Sequence, residues 1–177
     1  MFQLPFPVHD VNASSGSKDL GNLPEWDLSD LYSSQNAPEL SRDLQFLDQE
    51  CASFAANYEG KLANLDAAEM LACVLRNEHI NTIAGRIMSF AGLRYYQLTI
   101  DGDRTKFMSD MQEKITNFTT PLVFFTLELN RIDDATLQAL LDANSALARY
   151  QPVFDRIRAM KPYQLSDELE KFLHDLG

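Results

Sequence analysis

The chain has 177 residues, of which 45% are apolar and 23% charged, and its formal net charge is -11. A domain of this size buries roughly 70% of the surface its unfolded chain exposes, so a core forms without disulfides or metals. The lysines and arginines are dispersed, which excludes a footprint for a phosphate backbone, and no apolar run approaches the roughly 20 residues that span a bilayer.

Residues 1–22 mix Pro5, Pro7, Gly16 and Gly21 with the polar run Asn12-Ala13-Ser14-Ser15-Gly16-Ser17, and read as a mobile tail without an apolar period. A short irregular segment follows, Leu23-Pro24-Glu25-Trp26-Asp27-Leu28-Ser29-Asp30-Leu31-Tyr32, which Trp26 is expected to anchor to the helices behind it. Pro38 suits a first helical position, and Leu40, Leu44, Leu47, Cys51, Phe54 and Tyr58 then recur in steps of four and three until Gly60. That rhythm lays one apolar stripe along one helix.

Asp66 and Glu69, spaced as a capping box, open a second helix that carries Leu71, Val74, Leu75, Ile80, Ile83, Ile87 and Phe90 and runs to about Tyr96. Thr99-Ile100-Asp101-Gly102-Asp103 supplies a polar turn, and Phe107, Met111, Ile115, Phe118, Leu122, Phe125 and Leu129 mark a third helix antiparallel to the second. Pro121 lies inside that pattern and removes one amide donor, so the spacing predicts a kink there. Gly85, Ser89 and Gly92 share one side of the second helix. Each glycine costs about 1 kcal/mol relative to alanine, which points to the close approach of another backbone, a packed helix ahead of a bound peptide.

Asp133 or Asp134 can cap a short helix through Leu137, Leu140 and Leu141. Another holds Tyr150, Phe154, Ile157 and Met160 and ends at Pro162. Ser166 caps a last one from Asp167 to about Asp175, with acids in its first turn and Lys171 and His174 towards its end, as the helix dipole favours. No alternating strand pattern occurs. The fold class is therefore all-α: a helical bundle with a long antiparallel hairpin behind an irregular amino-terminal tail.

Local catalytic signatures are missing from the sequence. A common zinc-peptidase helix needs two histidines one turn apart and a glutamate beside the first. The three histidines, His9, His79 and His174, include no such pair. A di-iron bundle needs Glu-x-x-His pairs, and none occurs; Glu170 and His174 read instead as a surface salt bridge. There is no G-x-S-x-G elbow, Walker loop or G-x-G-x-x-G. Cys51 and Cys73 lack basic neighbours and C-x-x-C spacing, and read as reduced, buried thiols. The start has no secretory signature, so the expected compartment is the cytoplasm. Neither catalytic nor metal-ligating residues are assigned. Arg94, Tyr95 and Tyr96, near the hairpin tip, are the candidate substrate-binding residues, through the carboxylate and side chains of a peptide.

Five stretches in order resemble the amino-terminal part of oligoendopeptidase F-like zinc peptidases. The segment from Leu23 to Tyr32 is similar to the family's W-D-L-s-D-L-y opening, and Tyr58-Glu59-Gly60-Lys61-Leu62 to its y-x-G-K-L turn. Ser89-Phe90-Ala91-Gly92-Leu93 occupies the place of its s-Y-A-x-L segment, with Phe90 where tyrosine is usual. Pro121-Leu122-Val123-Phe124-Phe125-Thr126-Leu127-Glu128-Leu129-Asn130 resembles its mid-helix stretch, and Gln164-Leu165-Ser166-Asp167-Glu168-Leu169-Glu170-Lys171 its h-x-L-S-e-x-x-E-k segment.

The resemblance implies that residues 23–177 form the helical amino-terminal domain of a cytoplasmic metalloendopeptidase that hydrolyses short peptides. The family's H-E-x-x-H helix and zinc ligands lie beyond this stretch. Zinc is thus implied for the full-length protein and no cofactor for this chain, which is expected to be inactive alone. Its implied partners are the catalytic domain of the same protein and short peptides, with no nucleic acid and no membrane, and its implied role is to wall the substrate channel. The alternative is a stand-alone helical binding module or adaptor without enzymatic activity.

Overall fold

The computed structural model describes residues 25–176. The expected tail at 1–22, with His9, lies outside the described residues, as do Leu23, Pro24 and Gly177. Eight α-helices and no strand occur among the described residues: α1 (Pro38–Tyr58), α2 (Ala67–Gln97), α3 (Gly102–Thr119), α4 (Val123–Arg131), α5 (Asp134–Ala143), α6 (Ser145–Ala148), α7 (Gln151–Ala159) and α8 (Asp167–Leu176).

The first helix begins at Pro38 as the sequence indicates, and buries Leu40, Leu47, Cys51 and Phe54 along one stripe. Gly60 ends the following turn with φ 77°, a left-handed conformation that glycine adopts without steric cost. The capping box of α2 is complete: Asp66 accepts from the amides of Ala68 and Glu69, both at 2.8 Å, and Glu69 accepts from the Asp66 amide at 3.0 Å. Its 31 residues make a rod about 46 Å long. Asp101 caps α3 through the amides of Asp103 and Arg104, and α2 and α3 form the antiparallel hairpin.

Pro121 does more than kink the third helix. The chain stops α3 at Thr119, makes one tight turn at Thr120–Leu122 and restarts as α4. A missing amide, which leaves the Asn117 carbonyl without its helical partner, and the ring's clash with the preceding turn favour a break. Here the hydroxyls of Thr119 and Thr120 donate to the carbonyls of Ile115 and Thr116 at 2.8 and 2.9 Å. The break lets Phe124 and Phe125 turn into the core, where both rings lie 5.9 Å from that of Phe54.

Asp133, not Asp134, caps α5. The short α6 was not anticipated; Asn144 caps it by accepting from Ala146 and Leu147 at 3.0 and 3.2 Å. Three apolar positions face water against expectation: Leu75 on α2, Met160 just beyond α7, and Trp26. Tyr32 is the anchor of the irregular segment. It is 1% exposed against 58% for Trp26. Its ring meets Phe90 edge-on at 5.4 Å and its hydroxyl donates to Asp43 at 2.6 Å, so burial leaves no polar atom unpaired. Trp26 precedes the turn in which the Tyr32 amide donates to the carbonyl of Leu28, and its indole stays outside the helix junction.

Candidate functional site

Arg94, Tyr95 and Tyr96 fall in the last turn of α2, and their side chains part company. The Arg94 guanidinium lies over the Phe90 ring at 5.6 Å with its buried Nε unpaired, whereas the rings of Tyr95 and Tyr96 meet edge-on at 5.2 Å. Tyr96 lines a shallow hollow of about 370 Å³ with Glu25, Trp26, Gln97, Leu98 and Arg104. The cation at this tip is therefore Arg104, which sequence reasoning passed over. It is already engaged, donating to the carbonyl of Arg94 and the side chain of Gln97 at 3.1 and 3.2 Å and facing Asp101 at 3.6 Å. Arg104 shares the hollow with the Glu25 side chain.

The expected close approach at the glycines of α2 is absent. A Cβ built on Gly85 meets nothing within 4 Å, and one on Gly92 meets only Tyr96 of the same helix, at 4.0 Å. Gly85 instead borders an open groove of about 770 Å³ between α2, α3, α4 and α8, which Met88, Ile115, Leu122 and Phe125 also line.

At the edge of that groove, α8 is turned unusually. Its polar side faces the body: Asp167 pairs with Arg131, Lys171 with Glu59 at 3.5 Å, His174 Nε2 lies 3.2 Å from the Thr119 hydroxyl, and the Thr120 hydroxyl, shared with the Thr116 carbonyl, lies 2.7 Å from Asp175 Oδ1. The salt bridge expected between Glu170 and His174 is not formed, because Glu170 accepts from the Leu165 amide at 2.8 Å while His174 turns to Thr119. Leu169, Phe172, Leu173 and Leu176, spaced to share one helical face, are all half exposed or more. No residue of α8 is buried. An amphipathic helix normally does the reverse.

The loops around α8 are firmly held. Arg158 donates to the carbonyls of Leu129 and Ile132, both at 2.7 Å, and pairs with Asp134. Asn130, 3% exposed, donates to Gln164 at 2.9 Å. Among the described residues, no group of three or more His, Cys, Asp or Glu side chains could hold a metal ion. His79 lies edge-on to Phe46 at 5.2 Å. Burial pushes the Cys51 thiol up to about 11 and the Cys73 thiol to about 12, the latter despite nearby Arg76, so neither is a ready nucleophile.

The family model described as Oligopeptidase F matches residues 128–177, the stretch from the end of α4 through α8. This stretch is similar to the amino-terminal region of oligopeptidase F. No curated protein and no solved structure matches the chain.

The oligopeptidase F-like region reaches back into the part of the chain that the family model does not match. Glu128, its first residue, accepts from the amides of Gly60 and Leu62 at 2.6 and 3.2 Å, so it clamps the Tyr58–Leu62 turn. Two stretches chosen for separate likenesses thus make one contact. The opening segment has a clamp of its own: Tyr32, Asp43 and Arg86 form a closed triad in which Arg86 Nε donates to the tyrosine oxygen at 2.9 Å and its guanidinium pairs with Asp43. Burial and the Asp43 hydrogen bond push the Tyr32 hydroxyl up to about 12. Phe90 is 1% exposed and packs between Tyr32 and Phe107, so its ring serves the core.

Proposed function

We propose that this chain is the non-catalytic amino-terminal lobe of an oligoendopeptidase F-like zinc metalloendopeptidase. The lobe packs against the catalytic domain of the same protein and walls a channel that admits short peptides in the cytoplasm. The observation that carries this reading is the orientation of α8 inside the family-matched stretch, polar side inward and apolar side outward. Covering four half-exposed apolar side chains stabilises an association by roughly 3–5 kcal/mol, which suits a permanent neighbour better than solvent.

Zinc enters only with that neighbour. It would polarise the peptide carbonyl and activate water there, while the helices described here exclude bulky substrates and hold the wall. The test follows the reading frame beyond Gly177 and assays the chain with zinc on a quenched peptide. The reading requires H-E-x-x-H downstream and no hydrolysis by this chain. Chelator-sensitive cleavage by the chain alone, or a stop codon directly after Gly177, would remove it.

A further inference from the structure

A second unpartnered face lies on α7 and does not depend on the peptidase reading. Arg149, Val153, Arg156, Met160 and Tyr163 follow one another at steps of four, three, four and three, and all five are exposed, Tyr163 at 74%. Val153 and Arg156 share one side of α7, with Arg149 just before the helix and Met160 and Tyr163 just after it. The stretch is also electrically unlike the rest of the molecule. Residues 149–163 hold four cations against the single carboxylate of Asp155, a net +3, in a chain of net charge -11, so the remainder carries -14.

Three of these four cations are unspent. Arg76, Arg86, Arg104, Arg131 and Arg158 all have carboxylate partners, whereas Arg149, Arg156 and Lys161 have none among the described residues. Beside them a hollow of about 360 Å³ opens between α2 and α7. It is lined by Val74, Phe125, Val153, Phe154 and Ile157, with the Tyr150 hydroxyl donating to Glu78 at 2.6 Å on its rim. That volume takes one bulky side chain, the usual form of an anchoring contact.

From this we infer that the α7 face docks a short acidic protein segment, which seats one leucine or aromatic side chain in the hollow and sets its carboxylates against Arg149, Arg156 and Lys161. Charge complementarity selects this occupant. An extended polyanion, whether nucleic acid or an anionic membrane, would also meet the surrounding charge of -14, while a short segment meets the three cations with only Asp155 and the Tyr150-bound Glu78 beside them.

The probe is a fluorescein-labelled peptide of alternating Leu, Phe, Asp and Glu, titrated by anisotropy with the full chain. The lysine-for-acid peptide, a serine-for-apolar peptide and phosphatidylserine vesicles serve as comparisons. The acidic apolar peptide is expected to bind, to weaken at least about tenfold with Arg149→Glu plus Arg156→Glu, and to weaken as salt rises. Val153→Asp, which charges the rim of the hollow, is expected to weaken it similarly while circular dichroism stays unchanged. The inference is overturned by absence of binding up to about 1 mM, by equal binding of the lysine peptide, by indifference to the variants, or by tighter binding of the vesicles.

Discussion

Replacing Glu128 tests the joint between the family-matched stretch and the rest of the bundle. Its two carboxylate oxygens accept from Gly60 and Leu62, amides 68 and 66 residues away in sequence, and hold α4 to the turn between α1 and α2. Hydrogen bonds to a charged group contribute about 1.5–3 kcal/mol each, and the site's partial exposure lets water replace some of that. Glu128→Ala should therefore cost about 2–3 kcal/mol, or roughly 5–10 °C in Tm for a chain of this length. Glu128→Gln keeps one acceptor oxygen and should cost about half as much. Gly60→Ala acts by another route: no atom lies within 4 Å of the added Cβ, but φ of 77° costs an L-residue about 1–2 kcal/mol. Urea unfolding followed by circular dichroism reads all three. If Glu128→Ala stays within about 0.5 kcal/mol of the parent, the clamp is a passive surface contact and the coupling of the two stretches is refuted.

Two further outcomes follow from burial and charge. Cys51 and Cys73, with thiols pushed up to about 11 and about 12 by burial, should resist a thiol reagent near pH 8 in the folded chain and react only as fast as the protein opens. Prompt labelling of either thiol would contradict their place in the core. Asp133 is held below the usual carboxylate range, first by the Thr136 hydroxyl and amide that it caps, and Asp27 likewise by Ser29. A depressed carboxylate stabilises the fold above its unfolded pKa and loses that contribution as pH falls through its folded value. Stability should thus decline between about pH 5 and pH 2, and Asp133→Ala should flatten that decline; identical slopes in both proteins would remove Asp133 from the account.

The helices were legible because their signals are local. Pro38, the Asp66–Glu69 box, the polar turn at Thr99–Asp103 and the four-three apolar rhythm each act within a turn or two, and the structure places α1, α2 and the start of α3 accordingly. What escaped is set by packing between distant segments. Trp26 and Tyr32 look equally able to anchor a segment, and only the position of Asp43 and Arg86 beside the tyrosine hydroxyl decides between them. Proline position showed where the third helix is disturbed, yet break rather than kink depended on where Phe124 and Phe125 find room against Phe54. Of the α2 glycines, Gly85 borders an open groove and Gly92 faces no neighbouring helix, an outcome that only the placement of the other helices could reveal. The outward turn of α8 was visible as amphipathicity, but its direction was not, since a stripe does not say which side holds the body.

That direction is what the proposed role rests on, and hydrogen exchange across residues 167–176 measures it most directly. The comparison is between the chain alone and the same chain joined to the H-E-x-x-H catalytic domain that the proposal requires. Protection of the α8 amides should rise at least about tenfold in the longer protein, and Leu169→Asp with Phe172→Asp should cancel the gain. Equal exchange in both proteins would mean that nothing covers the apolar side of α8, and the lobe assignment would fall with it.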